Sequence, residues 1–340
     1  MHSPRSLALQ RLGPLAQLPG VLASYGVSLD AVLEGLSLSA ADLRADNQLT
    51  ISTISAMLDR AAAYPGLEHI GLLIVQAQNH TVLGPVGQLM LSCETLGSAL
   101  GTFVMLQMAN STAGAAYLHP VGEDHALGFG IYAPDLPSSH IYDASAAIGH
   151  NMVRDLTGGA VRPAEVLLGR PAPRNPEPYR RFFGCPVRFN EGQNCLILPG
   201  RSLGFRLPSA DAKLRERLIS ALQQQIAQQQ QGFAPRVRHA IRPLLVAGDA
   251  SHKRVAAHLN LHPRTMGRRL EEEGITFEQL KDEVRLAVAR ELLARTAMAV
   301  SDVAGSLGYA TPSAFVRAFR RWTGTSPSAW RRQSEHTASG

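Results

Sequence analysis

Two stretches near the C-terminal end of this 340-residue chain follow one plan, and that repetition constrains the fold more than any other feature. In the first, Lys253 to Leu259 fits a short helix with Val255, Ala256 and Leu259 on its apolar side. Residues 260–262 turn the chain, and Pro263 suits the first position of a second helix, where a missing N–H costs nothing. That helix is expected to reach Glu273, with Gly274 as its C-cap. Met266 and Leu270, four apart, form its buried stripe, so Arg264, Arg268 and Arg269 project elsewhere. In the second stretch Val300 to Leu307 is the short helix, and residues 308–312 make the turn. Thr311 is placed to cap the next helix and Pro312 to begin it. That helix runs to Thr323, and Gly324 closes it. Ala314, Phe315, Ala318, Phe319 and Trp322 recur at helical spacing as a wide apolar stripe, with Arg317, Arg320 and Arg321 off it. Between the two, Phe277, Leu280, Val284, Val288 and Leu292 predict a long helix over 277–293.

A pair of short helices joined by a tight turn can present the second helix to a major groove. Two such pairs held by a stiff helix would read two groove segments, which requires a separation near one turn of DNA, roughly 34 Å. The charge distribution agrees. From Phe233 onward there are 17 Lys+Arg against 10 Asp+Glu, and before it 16 against 17, together giving the formal net charge of +6. Excess positive charge beside the repeated helices is what phosphate neutralisation uses, and arginine suits bidentate contacts. A single exposed arginine, by contrast, is most often merely solvated.

The segments VAAHLNLHPRTMGRRL (255–270) and VAGSLGYATPSAFVRAFRRWTGTSPSAWR (303–331) resemble the DNA-binding domain of the AraC/XylS family of bacterial transcription regulators. The resemblance implies base-edge contacts from the first two turns of each second helix. Carried over by position, these fall on Arg264, Gly267 and Arg268, and on Pro312, Ser313, Ala314, Val316 and Arg317. Thr265, Arg269, Arg320 and Arg321 complete the DNA-facing set. Gly267 offers no side chain to a base. Arg268 and Arg317 can each bond bidentately to guanine O6 and N7.

Ahead of this region the pattern is mixed. Residues 1–17 are expected to be loose. A helix is expected over Ser52–Tyr64 with Ser52 as its cap, a more apolar segment over Leu67–Ala77, and helices over Gln88–Ser92 and Thr95–Met108, Ser92 capping the latter. Loose alternation over Ala115–Pro120 and Ala126–Tyr132, split by Gly122, Glu123 and Asp124, predicts a hairpin. Helix returns over Ser138–Leu156. A strand over Ala164–Leu168, a short helix over Pro176–Phe183 and a strand over Asn194–Leu198 follow. The expected class is an α+β N-terminal domain, with helices on a small antiparallel sheet, followed by an all-α C-terminal domain with two helix-turn-helix units. The runs GPVGQLMLSCETLGSA (84–99) and PYRRFFGCPVRFNEGQNCL (178–196) are similar to the non-cupin, arabinose-binding-type effector domain of one branch of the same family. That resemblance implies a small-molecule effector and self-association, without fixing which molecule.

The expected domains are an effector-binding and dimerisation domain at 18–208, a linker at 209–234, the double helix-turn-helix domain at 235–333, and a tail at 334–340. The linker carries Leu214, Leu218, Ile219 and Leu222 on one helical side, fitting a dimer seam or docking onto its own domain. Its Gln-rich end at 223–231 reads as continued helix or as a tether. Cys93, Cys185 and Cys195 lack metal or disulfide spacing. The opening residues lack the apolar core of a signal peptide, and no run approaches the ~20 apolar residues of a membrane span, so a cytoplasmic location is expected. No hydrolase, zinc-protease, phosphate-loop or dinucleotide motif is present, so no enzyme, cofactor or metal is expected. Scattered histidines such as His119, His140 and His150 read as ordinary ones. The partners expected are double-stranded DNA, a small effector, RNA polymerase and a second copy of the chain, with activation favoured by the family resemblance. Two rival readings are a sequence-tolerant architectural DNA binder without a ligand, and a metabolite-processing enzyme fused to a DNA-binding domain.

Overall fold

A computed structural model describes residues 9–107, 110–131, 138–191, 193–229, 232–246, 248–259, 261–295 and 298–338. They fall into two compact units, one from the residues up to 229 and one from those beyond, the second also taking in 167–172 and 188–193. Among the described residues no helix is long and apolar enough to cross a membrane.

In the first unit, β1 (Leu9–Arg11) is followed by α1 (Leu18–Ser24), α2 (Leu29–Leu33) and β2 (Gln48–Thr50). Residues 9–17, expected to be loose, are structured. β1 pairs antiparallel with β2, Leu9 opposite Thr50, and Gly13–Gln17 forms a 3-10 turn that buries Leu15. The next helix, α3 (Ile51–Ala62), is capped by Thr50 rather than Ser52, with Thr53 N–H donating to Thr50 Oγ1 at 3.2 Å. Ile51, Ile54 and Leu58 are buried at helical spacing, so the apolar face itself demands the earlier start. The apolar stretch after it yields one helical turn, α4 (Ile70–Leu73). Then come α5 (Pro85–Leu91) and α6 (Leu96–Leu106). Thr95 and not Ser92 caps α6, through a reciprocal box in which Ser98 N–H donates to Thr95 Oγ1 and Thr95 N–H to Ser98 Oγ. The Ser92 hydroxyl instead donates to Leu89 O, closing α5.

The hairpin forms as β3 (Gly114–Val121) and β4 (Asp124–Ile131), with Tyr117 opposite Gly128; Tyr132 lies outside the described residues. After α7 (Ser139–Leu156) come β5 (Glu165–Leu168), α8 (Glu177–Phe183), β6 (Val187–Phe189), which the sequence did not mark as a strand, and β7 (Cys195–Leu198). The sheet order is β3-β4-β7-β5-β6, and β7 runs antiparallel to β4. Helix α7 lies across β4 and β7 and is covered on its other side by α3 and α4. Gly149 makes the first contact possible, because a Cβ there would stand 2.9 Å from Leu196 Cδ1. Gly71 of α4 does the same against α7, where a Cβ would meet His140 O. The segment read as a linker is mostly helix, α9 (Ala212–Gln229), and it packs on α5 with Leu222 buried. Gln230 and Gln231 lie outside the described residues.

From residue 232 on, the elements of the second unit are all helices: α10 (Ala234–Val246), α11 (His252–His258), α12 (Pro263–Glu272), α13 (Phe277–Arg295), α14 (Val300–Ser306), α15 (Pro312–Thr323) and α16 (Pro327–Ala338). Helix α10 continues through Pro243. Helix α16 extends past the expected boundary at 333, so most of the segment read as a tail is its end. Helix α13 is the spine. A buried pair between Arg242 and Glu291 at 2.7 Å joins it to α10, and the rings of His252 and Phe277, 4.9 Å apart, join it to α11. Arg285 donates to Leu307 O at 3.2 Å and lies over the Tyr309 ring, fixing the turn between α14 and α15. Asp282 accepts from Arg321 Nη2 at 3.0 Å and from Trp322 Nε1 at 3.3 Å, fixing α15 itself.

Candidate nucleic-acid interface and effector pocket

Helices α12 and α15 are the second members of the two helix-turn-helix units, and both start on a side-chain cap followed by proline. The Thr311 hydroxyl accepts from Ala314 N–H at 3.3 Å. The cap of α12 was not read from the sequence: it is His262, whose Nδ1 accepts from Arg264 N–H at 3.3 Å. Proline at the first position leaves those N–H groups as the donors that need a partner, and both caps supply it. Each helix then buries a narrow stripe. In α12 this is Met266 and Leu270; in α15 it is Phe315, Ala318 and Phe319, with Trp322 only half-buried. Gly324, at φ +75, ends α15 in the left-handed conformation that favours glycine.

The stripes determine what faces outward. Arg264 and Arg268 of α12 and Pro312, Ser313, Arg317 and Arg320 of α15 are exposed; Thr265, Gly267, Ala314 and Val316 are half-buried. Neither Arg268 nor Arg317 is tucked into the interior. Arg264, Arg317 and Arg320 make no ion pair among the described residues. Arg268 reaches Glu272 only at 3.8 Å, on the surface, where such a pair holds little. The other two arginines are engaged by their own domain. Arg269 lies over the Phe233 ring with its Cζ 5.4 Å from the centroid, and Arg321 is held by Asp282. At Gly267 an added Cβ would meet nothing closer than 3.9 Å, so the backbone of α12 lies open there.

The first unit encloses a pocket of about 100 Å³ between the β4–β7 face of the sheet and helices α3, α6 and α7. Ile54, Leu58, Phe103, Ile141, Met152 and Leu196 make its walls, and Gln10, Arg11 and Leu15 close one side. Among the described residues, no group of three or more His, Cys, Asp or Glu side chains is placed to hold a metal ion.

Residues 26–207 match the family described as the arabinose-binding domain of AraC transcription regulator, N-terminal, and residues 255–333 match a helix-turn-helix domain. The chain belongs to the AraC family. Its members are transcription regulators, and this one is a DNA-binding transcription regulator with an effector-type domain ahead of its helix-turn-helix units. The "HTH-type transcriptional regulator VirS" of Mycobacterium tuberculosis is 29% identical over 84% of this chain and 85% of its own. The "Ornithine utilization regulator" of Pseudomonas aeruginosa is 26% identical over 92% of this chain and 93% of its own. A crystal structure of the transcriptional regulator CdpR from Pseudomonas aeruginosa is 21% identical, covers 94% of this chain and 98% of its own, and aligns with a TM-score of 0.47.

Proposed function

We infer that this AraC-family chain is a cytoplasmic, effector-responsive activator that reads two successive major-groove segments. On this reading Arg264 and Arg268 on α12, and Pro312, Ser313, Ala314, Val316 and Arg317 on α15, form the base-reading face. Arg268 and Arg317 take guanines, Arg320 takes a phosphate, and Thr265, Arg269 and Arg321 lie at the margin. The observation that carries the reading is that Arg264, Arg268, Arg317 and Arg320 are exposed on two helices braced by one spine, none of these four held by a close acidic partner among the described residues. The pocket of the first unit holds the effector, which shifts the balance between DNA-competent and DNA-incompetent states by binding one of them better. The active species is a homodimer that contacts RNA polymerase.

Selection of the full chain on a pool of random duplexes tests the DNA reading. The expected result is enrichment of a motif in two blocks centred about 10 base pairs apart, one turn of the duplex. Equal retention of all sequences at fixed salt would make the chain an architectural binder.

A further inference from the structure

Reading a base edge asks more of a helix than reaching the groove, because the donor must stand within about 0.5 Å of its place. A side-chain tip lies roughly 6 Å from the helix axis, so a roll of about 10° carries it about 1 Å away. The apolar stripe of α15 sets how deep the helix sits. Burial has no direction of its own, and it opposes a roll of that size only weakly. A directional contact is needed to fix the roll, and the spine supplies one. Asp282 of α13 accepts from Trp322 Nε1 at 3.3 Å and from Arg321 Nη2 at 3.0 Å.

The two donors are unequal. The Arg321 side chain is 66% exposed, and a pair of that kind holds little. Trp322 is half-buried, and its indole is a rigid plane on two torsions, so a bond to its N–H fixes the backbone behind it. Trp322 follows Arg317 by five residues, which places it about 140° round the helix, a handle on the side away from the outward arginine. The same carboxylate stands 3.8 Å from Arg285. Arg285 lies 4.7 Å over the Tyr309 ring, itself 5.6 Å from Phe315, so the start of α15 is tied to the same point of the spine as its end. We propose that Asp282 is a positioning residue for base recognition: by accepting from the Trp322 indole it sets the roll of α15, and with it the aim of Arg317. The inference rests on reading Arg317 as a base contact.

Binding of the full chain to duplexes with single-base changes in each block of the selected motif tests it, with a urea titration of every variant alongside. The block in which Arg317→Ala relaxes specificity is the one read by α15. In Asp282→Ala the penalty for a wrong base in that block is expected to shrink about tenfold, while the penalties in the other block stay as they are. Trp322→Phe, which keeps an aromatic ring and removes the N–H, should act alike. Asp282→Asn keeps the shape and an acceptor oxygen for the indole without the charge, and should retain the discrimination. Should Asp282→Ala fold poorly, Trp322→Phe against Asp282→Asn carries the comparison. Equal loss in both blocks, full discrimination in Asp282→Ala and Trp322→Phe, or a loss in Asp282→Asn as large as in Asp282→Ala would each overturn the proposal. If Arg317→Ala relaxes neither block, the base-reading role of Arg317 falls and this inference with it; if it relaxes one and the Asp282 and Trp322 variants do not, this inference alone falls.

Discussion

The two helix-turn-helix units share a plan and differ in how much each invests in its core. Helix α15 is anchored by Phe315, Ala318 and Phe319, and the Phe319 ring lies 5.7 Å from Phe315 and 6.0 Å from Trp330. Helix α12 has two anchors, Met266 and Leu270. The outward faces differ in the same sense. Arg317 has no ion-pair partner among the described residues, whereas Arg268 has Glu272 one turn away, and Gly267 contributes backbone alone. The second unit is thus the firmer and the more sharply pointed, and the first is the more adaptable. A heavier anchor fixes a helix within the small tolerance that base-edge hydrogen bonding requires, and a lighter one lets it follow the groove.

The largest effect that would break this comparison is in the cores. Phe319→Ala should destabilise the DNA-binding unit by about 3–5 kcal/mol, and Met266→Ala by less, about 2–3 kcal/mol. Both tryptophans of the chain, Trp322 and Trp330, lie in this unit, so their fluorescence in a urea titration reports on it alone. Equal losses would abolish the distinction. Next, Arg317→Ala should cost about 1–3 kcal/mol of binding to the selected site and relax specificity at one base pair. Arg268→Ala should cost less, because Glu272 already competes for its guanidinium; binding of single-base variants of the site compares the two. If Arg317→Ala instead weakens all sequences alike and lowers the salt slope by about 1, that residue contacts phosphate. Smaller still, Thr311→Ala should remove about 1 kcal/mol of stability. The same urea titration on His262→Ala shows whether an imidazole cap is worth as much as a hydroxyl. Last, Arg321→Ala, which breaks an exposed pair with Asp282, should change stability by at most about 1 kcal/mol and leave base preference intact.

How much of this was legible depended on how local each signal is. Thr311, Pro312 and Gly324 punctuate α15 by chemistry that acts within a few residues, and the stripe from Ala314 to Trp322 supplies the period. The same signal was present and passed over at Ser326 and Pro327, where Ser326 Oγ accepts from Ala329 N–H at 3.2 Å and starts α16. Where two hydroxyls compete, as Thr50 with Ser52 and Ser92 with Thr95, spacing alone chose wrongly, and the buried Ile51 or the Thr95–Ser98 box decides. The strand at Leu9 was not readable because its partner is Thr50, forty-one residues away, and no local pattern encodes that register. The pocket was hidden for the same reason in stronger form. Gln10, Leu58, Gln107, Met152 and Leu196 stand on five separate segments, and only the fold makes them neighbours. The outward arginines of α12 and α15 needed no such assembly, since a helix's own period separates its buried side from its exposed one.

Glu273 sits immediately past the last turn of α12, and its carboxylate accepts the backbone N–H groups of Phe233 and of Ala234, the latter at 2.8 Å. One side chain therefore clasps both the point where the chain enters the helix-turn-helix region and the far end of α12. Any tug on the incoming backbone is felt at that helix, the more lightly anchored of the two, without first travelling through α13. Glu273 is a latch where mechanical strain on the entering strand would be converted into a change in grip.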